Sequence, residues 1–419
     1  MNRLRQIGRD KKQYFSSDYD FWPDYVFWTC FVLLLIIDCV ENTSVIYSEP
    51  FWPKGRYLFR NCLYLILLMK SAFMSTYRRK ELLAVGAIYL IVFASVLGSG
   101  DMALFKFAVV AIAAKDESPR KIVKAFAWVK GCSIIITLFL WKIGLLSAVY
   151  YQDDKVGYYN TYGFCHRNVL GANVAVVCLA WFYLRYRKIK VQDAVVWLGI
   201  SLLTYKLAVS RTSLIIMIFI IISMYLVQWK EQEIIHIPNV KKILLGGFLG
   251  MIAVCILCTV FYSKDVKIWD IIDKVFTKRI RLANSCFEEY GFSLFGQHIP
   301  FVSSIQAQHE DVKKLILDNA YMRALLYYGA IPGTLFLTAY YRAMHWSCKK
   351  EDCALLVSLI AFAVYGLSER YMLDVFYQFP LLIAYVKYFF KPEHRSVNDR
   401  QYPLEFANDI IRHFVRKKR

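Results

Sequence analysis

The chain has 419 residues, 58% of them hydrophobic and only 20% charged, with a formal net charge of +20. A water-soluble chain of this length splits into about two or three domains with more polar surface, so the composition excludes an ordinary soluble enzyme. The charge taken alone points to nucleic acid, but the basic residues recur between alternate hydrophobic runs, where retention of Lys and Arg in short cytoplasmic loops accounts for them and no nucleic acid is called for. A helix rises about 1.5 Å per residue, so a run of roughly 20 apolar residues matches the ~30 Å hydrocarbon core. On that measure the spans fall at 24–46, 57–75, 82–97, 101–115, 122–148 and 168–184, then at 193–209, 212–229, 242–262, 319–341, 353–368 and 374–390. The third and fourth are short, divided by Gly98-Ser99-Gly100-Asp101, and read either as two crossings or as a re-entrant pair.

The chain thus reads as an all-α polytopic membrane protein. Residues 1–23 form a cytoplasmic tail, 24–390 a transmembrane domain, and 391–419 a basic cytoplasmic tail. Starting inside puts every basic cluster inside, including Arg78 to Lys80, Lys115 to Lys124, Arg185 to Lys190 and Lys349-Lys350, so both termini are expected on the cytoplasmic side of a cell membrane. The stretch Leu404 to Arg419 is amphipathic and suits the anionic inner leaflet. No cleavable signal peptide is expected, because the region before the first span is long, charged and aromatic. The 11 cysteines lie mostly in hydrophobic runs as small apolar fillers, and Cys255 and Cys258, a CxxC inside a span, read as packing residues.

Two outer connections stand apart. The one near 149–167 is polar and tyrosine-rich. The one at 263–317 is roughly 55 residues long, and a loop of that length is usually functional. Its front half, Ile268 to Cys286, alternates apolar and charged residues at helical spacing, which predicts an amphipathic helix on the bilayer face.

Four groups of residues on this outer side could carry chemistry. In Gly163-Phe164-Cys165-His166-Arg167-Asn168, either Asn168 caps the following helix and His166 is a solvated loop residue, or His166 and Arg167 face an anionic or hydroxylic ligand at a helix N-terminus. In Ser210-Arg211-Thr212-Ser213 a hydroxyl can cap, while an Arg pinned between two spans points to a ligand. Arg279 and Arg281 have different facings, so one can snorkel and the other point inward. Asp318-Asn319-Ala320-Tyr321-Met322-Arg323 places at the outer mouth a carboxylate that is either an N-cap or a general base for a sugar hydroxyl. Glu369-Arg370 adds a carboxylate and a cation that read most simply as an ion pair.

The order of these motifs carries a resemblance: His-x-Asn entering one span, Ser-Arg between two later spans, and a long loop. That loop opens with Arg, holds Phe295-Gly296, and closes with Asp-Asn-Ala-Tyr before the Gly-rich stretch Gly329 to Gly333. Over roughly residues 157–345 this resembles the O-antigen polymerase and ligase superfamily, Wzy-like, and especially capsular and exopolysaccharide polymerases. The resemblance implies a GT-C-type membrane glycosyltransferase fold, metal-independent chemistry with no cofactor, and an undecaprenyl-diphosphate-linked oligosaccharide as donor. It also implies a flippase and a chain-length regulator as partner proteins. Arg211 and one of Arg279 or Arg281 would hold the lipid diphosphate, with Arg167, Asn168, Asn319, Tyr321 and Arg323 on the substrate. Asp318 stands where ligases commonly carry His, so it is base, orienter or cap, with His166 and Glu369 completing the catalytic set. Arg167 stands where relatives commonly carry Pro.

The expectation is therefore a polymerase that transfers glycan from its lipid diphosphate to the terminal sugar hydroxyl of another lipid-linked repeat unit, inverting at the anomeric carbon. The alternatives are a ligase acting on a different acceptor and a flippase for the lipid-linked oligosaccharide. A transporter should show two related halves with polar groups at the midplane, whereas here they gather at one face.

Overall fold

The computed structural model describes residues 21–47, 52–147, 150–153, 157–276, 278–302 and 315–389. The amphipathic stretch 404–419 lies outside them. Helices α1 (Phe21–Glu41), α2 (Trp52–Met69), α3 (Arg79–Ser99), α4 (Ala103–Ala113), α5 (Pro119–Lys142) and α6 (Arg167–Arg185) make the first half. Then follow α7 (Val191–Ala208), α8 (Arg211–His236), α9 (Val240–Val260), α10 (Lys267–Val275) and α11 (Arg279–Tyr290). Last come α12 (Ala320–Met322), α13 (Ala330–Lys349), α14 (Cys353–Gly366) and α15 (Phe379–Tyr388). The tyrosine-rich loop forms a short antiparallel ribbon, β1 (Tyr150–Asp153) with β2 (Gly157–Asn160), in the register Tyr150 to Asn160.

Seven of these helices, α1, α2, α3, α5, α6, α8 and α9, are long and apolar enough to cross a membrane, and α4, α14 and α15 are shorter apolar helices. The surface agrees with a membrane environment. Leu90 is 73% and Leu97 74% exposed on α3, and Leu203, Ile243 and Leu257 on α7 and α9 are exposed as well. In water such an apolar belt would be an aggregation surface; against lipid tails it is matched. Helices α4, α6, α14 and α15 are buried nearly all round, as a helix hydrophobic on every face should be when it sits at the centre of a bundle.

The connections after α2, α4, α6, α8 and α13 meet at one end of the bundle. There Lys70 faces Glu117, Arg187 bridges to Glu231 at 3.0 Å, Lys241 to Glu351, and Lys387 to Asp352 at 2.6 Å. The basic clusters of the sequence lie on these connections. The connections after α1, α5, α7, α9 and α14 gather at the opposite end, the site end.

The front half of the long outer segment, Ile268 to Cys286, does not form one continuous amphipathic helix. It breaks into α10 and α11 because Lys278 takes a left-handed conformation (φ +65°), while the Asp273 carboxylate accepts the Arg281 backbone N–H at 3.0 Å. Asn284 then donates to the Thr259 carbonyl, which ties α11 to the end of α9. Beyond α11 the chain runs without helix or strand through Phe295-Gly296. A Cβ on Gly329 would stand 2.2 Å from the Gly296 nitrogen, and one on Gly98 2.6 Å from the Gly296 carbonyl oxygen. Glycine is required at this crossing because three backbones share the space of side chains. The motif read from sequence as Phe-Gly is thus a packing knot.

Candidate functional site

The site is assembled from three connections and the N-terminal turn of α11. Cys165 N–H donates to the Asn42 carbonyl and Ser44 N–H to the Gly163 carbonyl, so the loop before α6 is sewn to the end of α1. That fixes the start of α6, where the cap is not Asn168, as one of the two readings had it. His166 caps the helix, its Nδ1 accepting the Asn168 N–H at 3.1 Å, and Asn168 is released to reach across the bundle. Its Nδ2 donates to Glu369 Oε1 at 3.1 Å.

Glu369 is the centre. It is 5% exposed, and Arg279 Nη2 donates to the same Oε1 at 2.7 Å. The simple reading of Glu369-Arg370 as an ion pair is therefore corrected: the partner of Glu369 comes from 90 residues earlier in the chain. Burial pushes the Glu369 carboxyl above its ordinary value, the Arg279 guanidinium opposes that rise, and Asp318 adds to it. The second Nη of Arg279 is buried and has no hydrogen-bond partner among the described residues. Such a donor is costly to leave unpaired unless something else fills it.

Two further groups face this pair. Asp318 is half-buried and makes no hydrogen bond or ion pair among the described residues; it acts on Arg279, Glu369 and Arg370 through its charge. It is not the helix cap. Asn319 is, its Oδ1 accepting the Met322 N–H at 2.9 Å while its Nδ2 donates to the Cys255 sulfur and the Leu367 carbonyl. Arg370 is exposed, makes no hydrogen bond or ion pair among the described residues, and lies in the field of Asp318 and Asp374. The arrangement is two guanidiniums and two carboxylates, with one guanidinium, one carboxylate and one buried N–H uncommitted.

The remaining predicted residues divide. Arg211 is exposed at the first turn of α8 and bonds to nothing among the described residues, yet its turn belongs to the same layer. Ser213 beside it hydrogen-bonds the Tyr365 hydroxyl at 2.9 Å, and the Tyr365 carbonyl accepts the Glu369 N–H. Val209 ahead of it is a β-branched residue at φ +50°, a strained conformation that aims the turn. Arg167 is half-buried at the start of α6, and the Arg281 side chain is half-buried. Tyr321 and Asn319 are committed to the protein itself: the Tyr321 hydroxyl donates to the Ala363 carbonyl from a fully buried ring. Arg323 is also buried, between the rings of Phe301 and Tyr327, with its Nη2 3.8 Å from Asp101. These three placements have one cause. Asn319 caps α12, Tyr321 lies on it and Arg323 opens the π-helical turn that continues it, a segment enclosed by α9, α13 and α14.

Sequence reasoning missed a second polar group. Lys130, 0% exposed in mid-α5, donates to Asp38 at 3.0 Å and Asn173 at 2.8 Å and lies 4.0 Å from the Tyr377 ring centroid. Asp38 and Lys130 inside apolar runs were the available signal, since ionisable residues at membrane depth carry a cost that something must offset.

The chain matches no protein-family model, no curated protein and no solved structure.

Proposed function

We propose that the chain is a polysaccharide polymerase of O-antigen, capsule or exopolysaccharide type, a membrane glycosyltransferase with a GT-C-type fold. In this reading α7 and α13 also cross, so that with the ten apolar helices there are twelve spans. The basic end is cytoplasmic, as are both termini, and the site end faces outward. The donor is glycan on an undecaprenyl diphosphate; the acceptor is the terminal sugar hydroxyl of a second lipid-linked repeat unit.

The single observation that carries the reading is the uncommitted set at Glu369: the open carboxylate of Asp318 beside the open guanidinium of Arg370 and the unfilled Nη of Arg279. A diphosphate leaving group fits the two guanidiniums because their planar forks match phosphate oxygens and stay charged. In the reaction the acceptor oxygen attacks the anomeric carbon and forms the new glycosidic bond. The bond from that carbon to the phosphate oxygen breaks, and its electron pair leaves on the diphosphate. Asp318 takes the acceptor proton. Glu369 and Asn168 hold Arg279 in place. Positioning and fixed charge supply most of the acceleration, since the leaving group needs little protonation. The test is elongation by the purified chain in lipid nanodiscs, supplied with its lipid-linked repeat unit: longer glycans and free carrier diphosphate are expected, both formed about 10²–10⁴-fold more slowly in Asp318→Asn.

One observation favours the flippase reading. The Lys130, Asp38 and Asn173 network sits inside the spans, where transporters place substrate and coupling groups. Transport without bond cleavage in the same nanodiscs or in proteoliposomes would select it.

A further inference from the structure

A cleft between α1, α2, α4 and the segment after Leu373 uses none of the groups placed around Glu369. Its cavity volume is about 110 Å³, below the ~300–1,000 Å³ typical of drug-sized ligands, so it suits a single small polar ring. Its walls hold the carboxylates of Asp38, Glu41 and Asp374, the cations of Arg60 and Lys106, and the rings of Tyr64 and Phe376.

These charges are not equally available. Glu41 is occupied, with Arg60 Nη1 at 2.8 and 2.7 Å from its two oxygens and Arg56 Nε at 3.2 Å. Asp38 holds Lys130 and Asn42 through Oδ2 alone, and Asp374 accepts the Phe376 N–H on Oδ1. Each therefore keeps one carboxylate oxygen without a hydrogen bond among the described residues. Lys106 forms no hydrogen bond or ion pair among them, and its ammonium lies 5.7 Å from the Tyr64 ring centroid. The cleft offers two open acceptors, the open ammonium of Lys106, the Arg60 Nε, unpartnered among the described residues, and two aromatic rings.

We propose that this cleft binds one pyranose ring of the acceptor glycan, which makes it a sugar subsite of the polymerase described above, and the proposal rests on that reading. Open carboxylate oxygens accept from sugar hydroxyls, an ammonium donates to a hydroxyl or ring oxygen, and the apolar face of a pyranose stacks on aromatic rings. With three carboxylates against two cations the lining disfavours a phosphate, which separates this cleft from the guanidiniums at Glu369. One short segment serves both places. Glu369 and Arg370 belong to the diphosphate pocket, whereas Asp374 and Phe376 line the cleft. Arg370 and Asp374 are four residues apart in sequence, so their Cα atoms lie no more than about 14 Å from each other, a span a short glycan can bridge.

The test is calorimetric binding of the lipid-free repeat-unit oligosaccharide to the full chain in nanodiscs. Saturable binding is expected. It should weaken tenfold or more in Ala103→Trp, which fills the cleft without removing a polar group, and in Lys106→Gln, and inorganic pyrophosphate should not compete. Thermal melts of both variants report folding, and Lys106→Gln decides if Ala103→Trp does not fold. Binding unchanged in the folded variants, or displaced by pyrophosphate, overturns the subsite. Cleavage of the lipid-linked repeat by the wild-type chain is measured separately. Cleavage with cleft-insensitive binding sinks the subsite alone, whereas absent cleavage with cleft-dependent binding sinks the polymerase reading alone.

Discussion

Arg279 and Glu369 meet at 2.7 Å, the first from the start of α11 and the second from the turn after α14. Both side chains are nearly enclosed, so removing one partner leaves a buried charge unpaired, which costs roughly 3–5 kcal/mol. Arg279→Ala should lower the thermal midpoint and abolish elongation, and the double variant Arg279→Met with Glu369→Leu should recover stability without activity. Thermal melts in detergent, alongside the elongation assay, check both.

The pH dependence follows from the same pair. Burial raises the Glu369 carboxyl, so on acidification it loses its charge above the ordinary glutamate value of about 4.3. Activity should fall as pH drops through that raised value, because the protonated group no longer anchors Arg279. The stability sign is opposite. A folded-state pKa above the unfolded one means that the folded chain binds this proton more tightly, so Glu369 does not destabilise the fold in acid. A pH–rate profile with a melting curve at each pH should separate the two, and Glu369→Gln should lack the displaced limb.

Neighbours Asp318 and Asn319 should behave differently. Asp318 bonds to nothing among the described residues, so Asp318→Asn should leave the thermal midpoint within error and cut elongation about 10²–10⁴-fold, the usual worth of a proton acceptor. Asn319 caps α12 and bridges two other elements, so Asn319→Ala should destabilise by about 1–3 kcal/mol. A destabilised Asp318→Asn would move Asp318 into a structural role.

The glycine crossing makes a prediction independent of function. Gly329 has φ +100°, and its added Cβ would meet backbone at 2.2 Å, with no flexible side chain to yield. Gly329→Ala should cost more than about 3 kcal/mol or prevent insertion of folded chain. Gly250→Ala, where nothing stands within 4 Å, should be near neutral by the same melt.

How much of this was readable follows from the range of each interaction. The long apolar runs set the helices because a span needs only local composition, and the basic connections follow from counting crossings. The pairing of Glu369 with Arg279 was not readable, since nothing local to either residue specifies a partner 90 positions away. At two helix starts the residue offered as a possible cap is not the cap: His166 caps where Asn168 was the alternative, and Asn319 caps where Asp318 was. Both members of each pair are capable acceptors, and only tertiary contact decides which is left for other work. Asp38 and Lys130 were legible and overlooked, being charged residues within hydrophobic runs.

The central claim is that the open groups around Glu369 cleave and re-form a glycosidic bond on a lipid diphosphate. Mass spectrometry of products from the nanodisc-bound chain and its lipid-linked repeat unit tests this directly. The account predicts glycans lengthened by whole repeats with stoichiometric release of polyprenyl diphosphate in the wild type, and neither product in Arg370→Ala. Repeats of undiminished length and yield from Arg370→Ala, or intact donor after prolonged incubation with the wild type, would contradict it.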